Sequence, residues 1–403
     1  MSNSVADRLR RIKHRIDPSN KGRRACLIDN PPVVDEHSIV FTSTDDYSGN
    51  PKALFLYMIE NGYNEKYHIT WLFEKRHNYR ELNIPNVKSI NMFTEDGERS
   101  WEAQQAILSA KYVFYSHNVN WAKVFRDEQL FIDLWHGCGY KGDLKSDTRQ
   151  IYFDYCMVTG DKYIDIFKDV LHKPDGNILA LGYPRNDMLF ANRSQAKSFV
   201  AKLKKEHDAN SVVIWMPTYR QSNVKRLDTD TGVGELGLPL VYSVDDLKRI
   251  DECCAENKLV IILKQHLLQK DYAITSDMFT NIVLMGDPEL SAMDVDLYEL
   301  MGNTDGLITD YSSVAIDYML VNKPLAYILE DYERYEQARG FSFENVKESM
   351  PGDHVYNIAD LESFIEDVSE GQDRHKEWRD RVKKEVLTES DCYCRDILNY
   401  FEV

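Results

Sequence analysis

No run of about 18 apolar residues occurs anywhere in the 403-residue chain, so no transmembrane helix is expected. The N-terminus lacks the apolar segment of a secretory signal. Cysteine is scarce and odd in number. Cys26, Cys138, Cys156, Cys253, Cys254, Cys392 and Cys394 follow neither the CxxC spacing of a zinc site nor a disulfide framework. The expectation is a cytoplasmic protein with reduced thiols and no metal site. Two nucleotide signatures are missing as well. There is no GxGxxG after the first strand-like run and no GxxxxGK[ST], which argues against the NAD fingerprint and the P-loop. Basic residues are in deficit, 49 Lys and Arg against 66 Asp and Glu, for a net charge of −17. A body that acidic is a poor non-specific binder of nucleic acid, whose phosphates call for clustered cations.

What is present describes a soluble globular protein. Hydrophobic residues make up 43% and charged residues 29%. The length suggests two or three domains. The positive charge is concentrated at the start. Residues 1–24 carry Arg8, Arg10, Arg11, Lys13, Arg15, Lys21, Arg23 and Arg24 against Asp7 and Asp17, a net of +6. Val5, Leu9, Ile12 and Ile16 would share one face of a helix whose other face is basic. Such a helix suits an anionic membrane surface, where each cation contributes about 1 kcal/mol. A solvated tail or a helix packed on its own domain fits the same pattern.

Apolar β-rich runs alternate with helical patterns from residue 38 onward. Ser38–Thr42, His68–Phe73, Lys111–Ser116, Leu130–Trp135 and Tyr155–Val158 read as strands in the first half. Ser211–Met216, Leu259–Lys264, Ile282–Met285, Gly306–Thr309 and Leu325–Leu329 do so in the second. Helical stretches lie between them, among them Pro51–Glu60, Glu102–Ala110, Ser194–Glu206, Val244–Asn257, Asp296–Met301 and Ser313–Val321. This alternation indicates an α/β fold with parallel sheets covered on both faces. The pattern restarts near residue 190. The expected division is an arm at 1–27, a Rossmann-like domain at 28–190, a second at 191–370, and C-terminal helices at 371–403 that pack back toward the first domain. Two doubly wound domains of this size place a ligand crevice between them, at the carboxyl ends of the strands.

Chemistry-bearing residues fall at predicted strand ends. Trp135-His136-Gly137 closes the run from Leu130. A histidine can take a proton from an attacking hydroxyl, which makes His136 a candidate base; Gly137 permits close approach, and Lys141 follows. A structural histidine at a strand end fits the same pattern. Thr309-Asp310-Tyr311-Ser312-Ser313 follows a strand and opens a helix that carries Asp317. Hydroxyls there can cap the helix or hold a phosphate. Thr218 and Arg220 follow Met216-Pro217, and His266 follows Lys264. Cations at successive strand ends describe a pocket for a pyrophosphate. Gly182-Tyr183-Pro184-Arg185-Asn186-Asp187 reads as a structural turn.

In order and spacing these segments resemble the CDP-glycerol glycerophosphotransferase family of teichoic-acid and capsule synthesis. The similarity runs over about residues 40–355. It includes Asn50-Pro51-Lys52-Ala53-Leu54, Lys323-Pro324, Arg339-Gly340-Phe341 and Pro351-Gly352. The resemblance implies a GT-B-like fold of two Rossmann-like domains facing a central crevice, with no metal or cofactor. It implies transfer of a polyol phosphate from CDP-glycerol or CDP-ribitol to a lipid-linked or polysaccharide acceptor, with release of CMP, at the inner face of the cell membrane. His136 then matches the catalytic base, and His266, the second catalytic candidate, matches a pyrophosphate-binding position. Arg220, Thr218, Thr309, Ser312, Ser313 and Asp317 match the donor side, and Gly137 and Lys141 the acceptor side. Two departures bear on substrate. The family's Trp-His-Gly usually continues Thr-Pro-Leu-Lys, where this chain has Cys138-Gly139-Tyr140-Lys141. Its Arg-x-His-Pro becomes Lys264-Gln265-His266-Leu267. A nucleotide-sugar transferase or epimerase would share the same scaffold.

Overall fold

A computed structural model describes residues 32–43, 45–116, 128–142, 153–171, 177–191, 194–218, 236–264 and 274–403. The basic arm, Arg220 and His266 lie outside the described residues. The chain divides into two units, Met1–Trp135 with Ile151–Cys156, and His136–Gln150 with Met157–Val403.

The first unit is built on strands β1 (Asp35–Ser43), β2 (His68–Phe73), β3 (Val87–Asn91), β4 (Ala110–Ser116), β5 (Leu130–Asp133) and β6 (Tyr155–Met157), with helices α1 (Gly49–Glu60) and α2 (Trp101–Ser109). The strands lie in the order β3-β2-β1-β4-β5-β6, and the pairs are parallel. Val40 at the centre of β1 pairs with Thr70 on one side and Val113 on the other. The last five residues of β1, Ile39 to Ser43, are all buried, as expected of a central strand covered on both faces. Helix α1 covers one face with Ala53, Leu54, Phe55 and Met58. Phe41 stacks on Trp71 and meets Phe55 edge-on, at centroid distances of 5.7 and 5.8 Å.

Strand β5 ends two residues short of the expected Trp135. The carboxylate Oδ1 of Asp133 turns back to accept the N–H of Trp135 at 2.8 Å, and Trp135 takes a left-handed φ of 53°. That turn removes the carbonyls of Leu134 and Trp135 from the ladder. Buried Asn50, on the first turn of α1, satisfies both at 3.0 and 2.9 Å. The asparagine therefore fixes the chain just before His136.

The second unit continues with α3 (Lys162–Val170), β7 (Asn177–Leu179), α4 (Ser194–Glu206), β8 (Ser211–Trp215), α5 (Val244–Glu256), β9 (Leu259–Lys264), β10 (Ile282–Met285), α6 (Asp287–Ala292), α7 (Leu297–Asn303) and β11 (Gly306–Thr309). It closes with α8 (Val314–Tyr318), β12 (Leu325–Ile328), α9 (Tyr332–Ala338), β13 (Asp353–Val355), α10 (Ile358–Ser369), α11 (Lys376–Val386) and α12 (Tyr393–Tyr400). Its sheet has the order β10-β9-β8-β11-β12-β13 and is likewise parallel. Val213 pairs with Ile261 and Gly306 on its two sides. Leu247 and Ile250 of α5 and Leu361, Phe364 and Ile365 of α10 bury against Val213, Ile261, Ile308 and Ile328. Helix α5 opens with a capping box in which Ser243 and Asp246 satisfy each other's backbone N–H groups. Both units are thus doubly wound α/β folds, as the alternating pattern indicated.

The C-terminal helices are tied down by buried polar groups. Arg379 on α11 has no exposed side-chain surface. It donates to the side chain and carbonyl of Asn322, at 2.9 and 3.3 Å, and pairs with Asp373. No helix among the described residues is long and apolar enough to cross a membrane.

Candidate functional site

The loop that begins at His136 packs backbone-tight against the start of α8. Gly137 has a φ of 145°, and a Cβ there would lie 2.5 Å from Ser313 Oγ. A Cβ on Gly139 would lie 3.0 Å from Ser313 Cβ and 3.1 Å from its Cα. Both positions therefore require glycine, for conformation at the first and for space at both. The loop then runs onto the Gly340 turn. Gly142 N–H donates to Gly340 O at 3.0 Å, Lys141 forms an isolated bridge with Phe341, and Ser342 Oγ donates to Lys141 O at 2.6 Å. In this way His136-Gly137, Ser312-Ser313 and Arg339-Gly340-Phe341, far apart in sequence, become one assembly in the second unit. His136 is exposed within it.

Arg185 is the link. Its Nη1 donates to the carbonyl of His136 at 3.0 Å, and its Nη2 pairs with Asp317 Oδ2 at 2.7 Å. Tyr298 donates to the same carboxylate oxygen at 2.6 Å, and the guanidinium lies 4.8 Å from the Tyr298 ring centroid. The Asp317 side chain is 1% exposed. Burial opposes the charge on Arg185, but Tyr298, Asp317 and Tyr183 together raise its pKa above the ordinary value. Breaking such a buried pair from one side costs about 3–5 kcal/mol. The sequence reading places Asp317 on the donor side. In the structure its carboxylate pairs with Arg185, and Arg185 in turn holds the main chain of His136.

The hexapeptide around Arg185 joins several parts of the second unit. A Cβ on Gly182 would lie 2.4 Å from the Tyr393 ring. Tyr183 OH lies 3.0 Å from Cys138 Sγ, and burial pushes that thiol up to about 12. Asp187 accepts the N–H groups of Tyr393 and Cys394 at 2.7 and 2.9 Å, satisfying the first turn of α12. The turn expected from Gly and Pro is present as a 3₁₀ segment, Pro184–Phe190. The pairing of Arg185 within it is not legible in the sequence, because an Arg after Pro carries no signal of its partner 132 residues away.

The four hydroxyls assigned to the donor differ in their surroundings. Thr309 is fully buried and its Oγ1 donates to Met216 O at 2.7 Å. Thr218 is buried, and both its N–H and its hydroxyl donate to the Asp310 carboxylate. These two tie β11 to the end of β8. Ser312 and Ser313 are half-buried, and Ser313 makes no side-chain capping bond. Neither serine hydroxyl has a hydrogen-bond partner among the described residues. Lys264 ends β9 and pairs with Asp287 at 2.8 Å. Lys323 donates to the carbonyls of Gly302 and Thr304, and burial lowers its pKa. Tyr311 and Phe341 lie 5.4 Å apart by centroid, which sets the Gly340 turn against the Ser312 loop.

Comparison with known proteins places this geometry. The chain is 25% identical over 384 residues to a teichoic acid poly(glycerol phosphate) polymerase of Staphylococcus epidermidis, covering 87% of this chain and 48% of that protein. It therefore spans about half the length of that relative. It is 23% identical over 360 residues to a teichoic acid glycerol-phosphate transferase of Staphylococcus aureus, covering 83% of this chain and 84% of the other. The structure of the wall teichoic acid polymerase TagF superposes with a TM-score of 0.72 at 21% identity, covering 100% of this chain and 97% of that one. That likeness shows a shared fold, the GT-B architecture. Residues 26–396 match the family described as CDP-glycerol:poly(glycerophosphate) glycerophosphotransferase, and the chain belongs to that family.

Proposed function

We propose that this chain transfers a polyol phosphate, glycerol phosphate first, from a CDP-activated donor to a hydroxyl of a lipid-linked or glycan acceptor. The observation that carries the proposal is the contact of Gly137 and Gly139 with Ser313, which brings His136 to the same assembly as two serine hydroxyls that have no hydrogen-bond partner among the described residues. His136 takes the proton of the acceptor hydroxyl as that oxygen attacks the phosphorus bearing the polyol. The new O–P bond forms as the bond to CMP breaks, and CMP leaves with the electron pair. Ser312 and Ser313 donate to the pyrophosphate oxygens, with Arg220 and His266 supplying further positive groups. Offsetting charge on phosphate oxygens is where phosphoryl-transfer catalysis mostly operates. Lys141, two residues beyond Gly139, belongs to the acceptor side. The basic arm 1–24 docks the enzyme on the anionic inner face of the membrane, and its removal would abolish pelleting with anionic liposomes.

The test is CMP release from CDP-glycerol, CDP-ribitol and UDP-sugars, with a lipid-linked disaccharide as acceptor. CDP-polyols turn over and UDP-sugars do not. Replacing His136 with Ala lowers turnover by at least ~100-fold. Absence of CMP release from both CDP-polyols would overturn the reading.

A further inference from the structure

We propose that the second unit carries a binding cleft for a neutral saccharide, built on Trp378 and separate from the Ser312–Ser313 helix start. The cleft has a volume of about 490 Å³ and lies among the start of α3, the Glu344–Ser349 turn and α11. That is room for a mono- or disaccharide. The indole of Trp378 is fixed in place. Its Nε1 donates to Glu348 O at 3.0 Å, and the rings of His354 and His375 meet it edge-on at 5.6 and 5.8 Å. A fixed, partly exposed aromatic face suits the C–H face of a sugar ring, since stacking there costs little side-chain ordering.

The polar groups around the indole select the ligand class. Arg381 offers donors, the carboxylates of Glu344 and Glu348 offer acceptors, and the amide of Asn345 offers both. None of these four side chains has a hydrogen-bond or ion-pair partner among the described residues. Lys162 bridges Ser349 Oγ at 3.0 Å and Glu385 Oε2 at 3.2 Å, so its charge is already answered. Three carboxylates line the cleft against two cations, which disfavours a phosphate or a nucleotide. Among the described residues no group of His, Cys, Asp or Glu is placed to hold a metal ion. Open donors and acceptors of both kinds beside an aromatic face match a ligand rich in neutral hydroxyls. The cleft also adjoins the His136 loop, because Ser349 O accepts the hydroxyl of Tyr140 at 3.0 Å.

The inference stands apart from the phosphotransfer reading, because equilibrium binding is measured without a donor. The probe is N,N′-diacetylchitobiose titrated onto the full chain, followed by saturation-transfer NMR and calorimetry, with glycerol 3-phosphate as the anionic comparison. The disaccharide binds in the millimolar range, and Trp378→Ala and Arg381→Ala each weaken it about tenfold or more. Arg381 is exposed, so its variant keeps the fold if Trp378→Ala does not. Ser313→Ala leaves the binding unchanged. No binding of the disaccharide, binding unaffected by both cleft variants, loss of binding in Ser313→Ala, or preference for glycerol 3-phosphate would each overturn the proposal.

Discussion

Gly137 stands so close to Ser313 that the Cβ it lacks would lie 2.5 Å from the serine Oγ. At a φ of 145° the position is also closed to ordinary side chains. The contact is therefore the constraint that sets His136 relative to the helix start.

Gly137→Ala is expected to push the loop off Ser313 by a substantial part of an ångström. A misplacement of that size costs about 100-fold in turnover. Gly371→Ala serves as the comparison, since its φ of 72° is strained yet nothing lies within 4 Å. It loses about 1 kcal/mol of stability and keeps its CMP release. Equal activity losses in the two variants would show that backbone strain alone, not the Ser313 contact, is responsible.

Arg185→Gln leaves the Asp317 carboxylate buried without its cation, and unfolding in denaturant should register about 3–5 kcal/mol of lost stability. Arg185→Met combined with Asp317→Leu removes both charges and recovers most of that loss, because no unpaired charge remains. The double variant still lacks the donor to His136 O, so its turnover stays low. A stable double variant with full turnover would remove Arg185 from the positioning role.

The hydroxyls separate by the same kind of experiment. Thr309→Val takes a donor from Met216 O and costs about 1 kcal/mol of stability, with the donor KM unchanged. Ser313→Ala has no partner to lose among the described residues. It raises the KM for the CDP-activated donor roughly fivefold or more, the equivalent of one hydrogen bond. Steady-state kinetics over a range of donor concentrations distinguishes the two, and a reversed outcome would exchange their roles.

Asp133 supplies a pH signature in the first unit. Burial raises its pKa well above the usual carboxylate value, opposed in part by the Trp135 N–H. Its Oδ2 is buried with no hydrogen-bond partner among the described residues. A group whose folded pKa is raised contributes stability that is present below its unfolded pKa of about 4 and lost as pH rises through the folded value. Asp133→Asn keeps an acceptor for Trp135 and buries no charge. It should match or exceed the parent in stability near neutral pH and flatten the decline from pH ~4 upward. Denaturation midpoints across that range give the comparison. A slope parallel to the parent's would show that Asp133 does not govern it.

The strands legible beforehand were the continuous apolar ones. His68–Phe73, Leu259–Lys264, Ile282–Met285 and Gly306–Thr309 form where their composition indicated, because burial on both faces leaves a run with no competing period. Val87–Asn91 went unseen, since Lys88 and Ser89 interrupt it, and Asp353–Val355 is three residues long with two of them polar. The strand end before His136 was legible, and its mechanism was not. It depends on Asp133 folding back and on Asn50, 85 residues away, taking the freed carbonyl of Trp135. The same holds for the hydroxyls. Ser and Thr near a strand end read alike until the structure shows which of them already has an acceptor.

Asp187 has a consequence for the far end of the chain. The carboxylate that seats Tyr393 and Cys394 lies two residues past the guanidinium that holds His136 O and Asp317. The Tyr393 ring, in turn, fills the space that Gly182 leaves. Helix α12 is thus a remote keystone for a turn whose other side faces the chemistry. Shortening the protein by that helix would release the turn from both ends at once, and the damage would surface as a misplaced arginine rather than as a missing catalytic group.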